Sequence, residues 1–145
     1  MSATIFDVAK YITRACGEMS AMKLQKLAYY SQAWHMVWED EALFPEDFQA
    51  WANGPVSPAL YDRHRGMFQV DQSLFKSSKV GNLSTESKKN IDKVLSFYGG
   101  KTAFWLSNVS HQEDPWKDAR KGLPAGASSN AIISKAAMVE YYSSL

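Results

Sequence analysis

Two stretches of this 145-residue chain combine polar and aromatic side chains at a spacing suited to recognition. In Met22-Lys-Leu-Gln-Lys-Leu-Ala-Tyr-Tyr-Ser-Gln-Ala-Trp34, helical spacing puts Lys23, Lys26 and Tyr30 on one face and Gln25, Tyr29 and Gln32 on adjacent ones. Core packing accounts for the leucines but not for all of these polar groups. In Trp51-Ala-Asn-Gly-Pro-Val-Ser-Pro58, a strand passes into a helix through Gly and Pro, and such a turn presents unpaired backbone N–H groups at the helix start. Either a partner molecule takes up those donors, or Gln25 or a tyrosine hydroxyl satisfies them from within.

Catalytic chemistry finds less support. The chain has no Gly-rich phosphate loop, HExxH, GxSxG, CxxC or calcium-binding loop pattern. His35, His64 and His111 are far apart in sequence and read as core or surface histidines. A hydrolytic site would need the fold to gather His64 and His111 with a carboxylate such as Asp62 or Glu113. Cys16 falls on an apolar helix stripe and is expected to be a buried, inert thiol. Arg63-His64-Arg65 suits the solvated C-terminal end of a helix better than a phosphate grip. No catalytic residue, metal ligand or cofactor is assigned.

Composition narrows the possible partners and leaves core or interface open. Sixteen Lys and Arg against 15 Asp and Glu give a net charge of +1, too little to steer the chain to nucleic acid or an anionic membrane. The charge is uneven: residues 1–72 carry 6 basic and 9 acidic side chains, residues 73–145 carry 10 and 6. Lys88, Lys89 and Lys93 share one helix in the basic half, but ordinary solvation accounts for them, and nucleic acid is not expected as a partner. A single Cys excludes an internal disulfide and a multi-thiolate zinc site. With no signal-like N-terminus and no apolar run long enough to span a bilayer, the expected location is cytoplasmic, with no membrane partner.

The elements that must position these residues are mostly helices. Periodicity and caps place one from Thr4 to Gly17, a second and central one from Ser20, and others after Ser57, Ser84, Thr102, Asp114 and Ser134. Phe48 to Ala52 suits a short strand broken by Asn53-Gly54-Pro55. Residues 67–83 read as loop with one short strand, and Gly122 to Gly126 as a turn. The expectation is a mainly α, compact single domain over residues 1–145, with six or seven helices and one or two short strands.

The motif Met22 to Trp34, followed by Leu43-Phe44, Ala50-Trp-Ala-Asn-Gly-Pro-Val56 and Tyr61, resembles the SocA-like or Panacea domain family. Leu106-Ser-Asn-Val-Ser-His111, Pro115-Trp116 and Ile133-Ser134 extend the resemblance, which runs from about Val8 to Tyr142. It implies a non-enzymatic antitoxin, of bacteria or their phages, that neutralises a cognate toxin by direct protein contact without a cofactor. The toxin would be encoded by the adjacent gene. In one branch of the family, the resemblance implies a proteolytic adaptor that delivers its toxin to a Clp-type protease; a phage-encoded interaction module without a toxin is a further alternative. Many members carry an additional N-terminal DNA-binding segment; since this chain begins almost directly with the domain, no autoregulation by DNA binding is assigned. The family has no catalytic residues to carry over. From its three motifs, Lys23, Gln25, Lys26, Tyr29, Trp51, Asn53, Tyr61, His111 and Trp116 are chosen as partner-binding candidates.

Overall fold

Thr4 starts the first helix, α1 (Ile5–Cys16), through a reciprocal cap in which its hydroxyl accepts from the Asp7 N–H and the Asp7 carboxylate accepts from the Thr4 N–H. The computed structural model describes residues 2–124 and 126–145; Met1, and Ala125 within the turn expected after Gly122, lie outside the described residues. After α1 come β1 (Met19–Ser20), α2 (Ala21–Glu39), β2 (Phe48–Trp51), β3 (Gly54–Val56), α3 (Pro58–His64) and β4 (Gln69–Val70). Two 3-10 turns, Gln72–Phe75 and Val80–Asn82, lead to α4 (Thr85–Tyr98), α5 (Ala103–His111), α6 (Asp114–Ala119), β5 (Ile132–Ile133) and α7 (Lys135–Ser143).

The fold is mainly helical, as expected, but its strand segments number five among the described residues, not one or two. They form two small antiparallel sheets, β1 with β4 and a three-stranded β3-β2-β5. The strand ends at Trp51, before Asn53-Gly54-Pro55, as expected, but Gly54-Pro55 is not loop. It opens the return arm of a hairpin, with Trp51 opposite Gly54, Ala50 opposite Pro55 and Gln49 opposite Val56. Proline is tolerated there because β3 is an edge strand, where a missing N–H breaks no ladder on its outer side.

Helix α2 is the axis of the core. Its hydroxyl cap is Ser20, and from Leu24 to Ala33 every residue is buried. A helix enclosed in this way must find partners for its polar side chains inside the protein. Gln25 accepts from the Ser57 N–H at 2.8 Å and donates to the Ser57 carbonyl at 3.1 Å. Gln32 does the same at the loop before β2, accepting from Leu43 N–H and donating to the Phe44 carbonyl, both at 2.7 Å. His35 bridges the Glu41 carbonyl and the Ser87 hydroxyl, each at 3.0 Å. Each amide therefore serves as a piece of strand backbone, pinning an irregular segment to the helix.

Two local expectations need correction. Cys16 is exposed, because α1 runs its last turn past the core and residues 14–18 face water. The N-cap of α6 is Glu113, not Asp114, and its side chain caps nothing. That carboxylate turns inward, where Oε1 accepts from the hydroxyls of Tyr30 and Tyr142, both at 2.7 Å. Tyr142 also approaches the Tyr29 hydroxyl at 3.1 Å, so one acid knots α2, α6 and α7 together.

Burial raises the Glu113 carboxyl above its ordinary value, against the lowering effect of its bonds from Tyr142 and Tyr30. A carboxyl raised on folding contributes its stability below its unfolded-state pKa and loses it as pH climbs through the folded-state value. Glu113→Gln keeps an oxygen for the two hydroxyls and removes the ionisation. Thermal melts from about pH 4 to about pH 8 are expected to show the variant gaining on the parent protein as pH rises; a constant difference would refute the assignment.

Candidate functional site

The hairpin β2–β3 carries the second sequence motif, and its shape follows from what lies behind it. Gly54 has φ +117°, a region open to glycine, and a Cβ there would stand 2.7 Å from Cε of Lys26. Lys26 fills the space under the hairpin with 1% of its surface exposed, and Nζ donates to the Pro55 carbonyl at 3.2 Å. Burial pushes the amine down to about 7. None of the ion pairs among the described residues includes it.

Other side chains fix the back of the hairpin. Trp116 Nε1 donates to the Trp51 carbonyl at 2.8 Å, Arg120 donates to the Ala50 carbonyl at 2.9 Å, and Ser107 donates to the Asn53 carbonyl at 2.7 Å. His111 stacks on Trp116 with ring centroids 4.1 Å apart, and its Nε2 is buried without a hydrogen-bond partner. Burial lowers the His111 pKa, and the nearby cations of Lys26 and Arg120 add to the effect.

The front of the hairpin is open. Trp51 meets Tyr61 edge to face at 5.0 Å and donates its indole N–H to Gln49 Oε1 at 2.9 Å. A cleft of about 690 Å³ lies there, lined by Met22, Gln49, Trp51, Asn53 and Tyr61 and by residues 128–130. Tyr61 and Met22 also border a second cleft that reaches the exposed Met67 and Phe68. Large rings beside amide and hydroxyl groups, on a backbone pinned from behind, make a surface that can seat a protein partner with little ordering cost.

The nine candidates therefore divide by location. Trp51, Asn53 and Tyr61 converge on the cleft. Gln25, Lys26 and Tyr29 are 0%, 1% and 1% exposed, so they support the surface from inside and do not form part of it. This corrects their choice as contact residues, which came from the first family motif; a motif does not distinguish a side chain that faces outward from one covered by a hairpin. Trp116 is buried and His111 half-buried behind the hairpin. Lys23 is half-buried near the exposed Cys16, at the end of α1. Sequence reasoning missed Met22, Gln49 and residues 128–130 as cleft residues. Met22 and Gln49 adjoin the motifs, but residues 128–130 arrive through the pairing of β5 with β2, for which the local sequence carries no signal.

The groups of the hydrolytic alternative are each engaged separately. Gln25 Nε2 donates to His64 Nε2 at 3.0 Å, Asp62 pairs with Arg65 on the surface, and Glu113 is held by its two tyrosines. The basic triplet also splits: Arg63 lies over the Phe6 ring and His64 is buried. Among the described residues, no helix is long and apolar enough to cross a membrane, and no group of three or more His, Cys, Asp or Glu could hold a metal ion.

A family model described as "Antitoxin SocA-like, Panacea domain" matches residues 24–117, a span that includes most of α2, the hairpin and Trp116. No curated protein and no solved structure matches the chain.

The depressed amine of Lys26 makes a pH test possible. Between about 7 and about 10.4 the unfolded chain binds a proton there that the folded chain does not, so folding stability rises with pH across that window. Thermal melts are expected to show this rise in the parent protein and its loss in Lys26→Met. An identical pH slope in both proteins would contradict a buried, unpaired amine.

Proposed function

Because the chain belongs to the SocA-like, Panacea domain antitoxin family, we propose that it is a non-enzymatic antitoxin that neutralises a cognate toxin by direct contact through the hairpin cleft. The observation that carries this reading is convergence: Trp51 and Asn53 of the hairpin and Tyr61 of α3 line one open cleft with Met22 and residues 128–130, on a hairpin braced by Lys26, Trp116 and Arg120. Trp51 and Tyr61 are the anchors, since aromatic side chains in partly desolvated pockets supply a large share of binding energy at protein interfaces. Asn53 at the exposed hairpin turn supplies a polar contact at the rim. Partner contact needs no cofactor and no catalytic group, and its natural setting is the cytoplasm.

Co-expression with the product of the adjacent gene tests the reading, with growth, co-purification and toxin abundance scored together. The parent protein is expected to restore growth and to co-purify with intact toxin. Trp51→Ala and Tyr61→Ala are expected to weaken the complex by about tenfold or more, the effect of losing an anchor worth about 1.4 kcal/mol, while circular dichroism remains that of the parent. Rescue accompanied by disappearance of the toxin would replace steric neutralisation with delivery to a protease. Absence of both rescue and binding would overturn the proposal.

A further inference from the structure

A second surface, built from α2, α4 and Leu145, has features that the hairpin cleft does not use. A groove of about 410 Å³ is lined by Trp34 and Trp38 of α2, by Lys93, Val94, Phe97 and Tyr98 of α4, and by Leu145. Phe97 is 60% exposed, Trp38 41% and Leu145 72%, and Phe104, 76% exposed, lies on the following helix α5. Isolated apolar side chains on a surface need no explanation, but a contiguous aromatic groove marks an interaction site.

Charge at the groove indicates the chemistry of its occupant. Lys93 Nζ lies 4.9 Å from the Trp38 ring centroid, and Lys101 Nζ lies 4.8 Å from that of Trp105 and 5.7 Å from that of Phe97. Neither ammonium takes part in an ion pair among the described residues. The groove thus has an apolar lining with a cation on the Trp38 side and another beside Phe97. Trp34 donates its indole N–H to the Tyr98 hydroxyl at 3.2 Å, so that donor is already used. A nucleobase seated between the rings would bring several donors and acceptors to a wall with little to offer them, whereas an apolar side chain brings none. Carboxylates beside that side chain would meet the two ammonium groups.

We infer that this groove is a docking site for a short acidic, amphipathic peptide segment of a partner protein, seating one or two apolar side chains between Trp38 and Phe97 with flanking carboxylates on Lys93 and Lys101. The site is separate from the hairpin cleft and does not depend on what binds there. Because Lys93 and Lys101 already lie over aromatic rings, an incoming carboxylate pairs with cations held near the apolar contact. The two contributions then act on the same short segment.

The test is selection of random dodecamer peptides displayed on phage against the full chain. The selected peptides are then synthesised and titrated by fluorescence anisotropy against the parent protein, Phe97→Ala and the double variant Lys93→Glu, Lys101→Glu. Phe97 and Lys93 are exposed and Lys101 is half-buried, and the melting temperature of each variant checks that the fold is kept. Enriched sequences are expected to place Leu, Phe or Met between Asp or Glu residues. Their binding is expected to weaken by about tenfold or more in both variants, and with added salt in the parent. Failure to enrich any peptide, enrichment of basic or uncharged sequences, or binding that neither variant weakens would overturn the inference. A fluorescein-labelled oligothymidylate dodecamer that outcompetes the peptides would replace it with single-strand nucleic-acid binding.

Discussion

Enclosing the middle of α2, from Leu24 to Ala33, sets the terms for the rest of the molecule. A helix satisfies its own backbone but not the polar side chains that it takes into the interior, and an unpaired buried amide or hydroxyl costs about 1–3 kcal/mol. The chain meets most of this demand by directing Gln25 and Lys26 at residues 55–57, Gln32 and His35 at the loop before β2, and Tyr30 at Glu113, while the Ser31 hydroxyl is buried without a partner. The hydrogen bonds that make the central helix tolerable also position the hairpin, the loop before it and the starts of α3 and α6. Hydrophobic burial supplies a driving force without direction, and these bonds supply the geometry.

The hairpin shows how that geometry becomes a surface. Its two strands are short, and a two-stranded ribbon of this length would be marginal alone. Here it is held by β5 along one edge, by Trp116 and Arg120 through their bonds to backbone carbonyls, and from below by Lys26. Gly54 lets the ribbon lie close over the lysine stem. At the turn, Ala52 is half-buried and Asn53 exposed, and the Asn53 carbonyl accepts from the Ser107 hydroxyl. Rigidity arises behind the surface and is expressed at Trp51 and Tyr61.

Much of this was legible in the sequence, at the level where local chemistry decides. Thr4, Ser20, Ser57, Ser84, Thr102 and Ser134 each cap the helix that follows, because a hydroxyl at that position satisfies an otherwise orphaned N–H. The internal pairing of Gln25 with the turn before α3 was one of two readings left open, and it is the one realised. What could not be read depended on distant partners. Gly54-Pro55 looks like a break unless β2 is known to lie beside it, and Asp114-Pro115 looks like a cap followed by helix unless Tyr30 and Tyr142 are known to draw Glu113 inward. For the same reason, the first family motif offered Lys26 and Tyr29 as candidates beside Trp51 and Tyr61, although what covers them comes from elsewhere in the chain.

The knot at Glu113 has a further consequence for the order of events during synthesis. Tyr30 leaves the ribosome 83 residues before the acid it bonds, and Tyr142 follows that acid by 29. Until α6 and α7 have emerged, the nascent chain carries a central helix whose Tyr30 and Tyr29 hydroxyls lack their partners, although those of Gln25, Lys26 and Gln32 are already made. It must therefore stay open to solvent there or close around polar groups that are still unsatisfied. The structure cannot be completed piecemeal from the N-terminus, so the interval between translation of α2 and of α7 is when this chain is most exposed to chaperones and proteases.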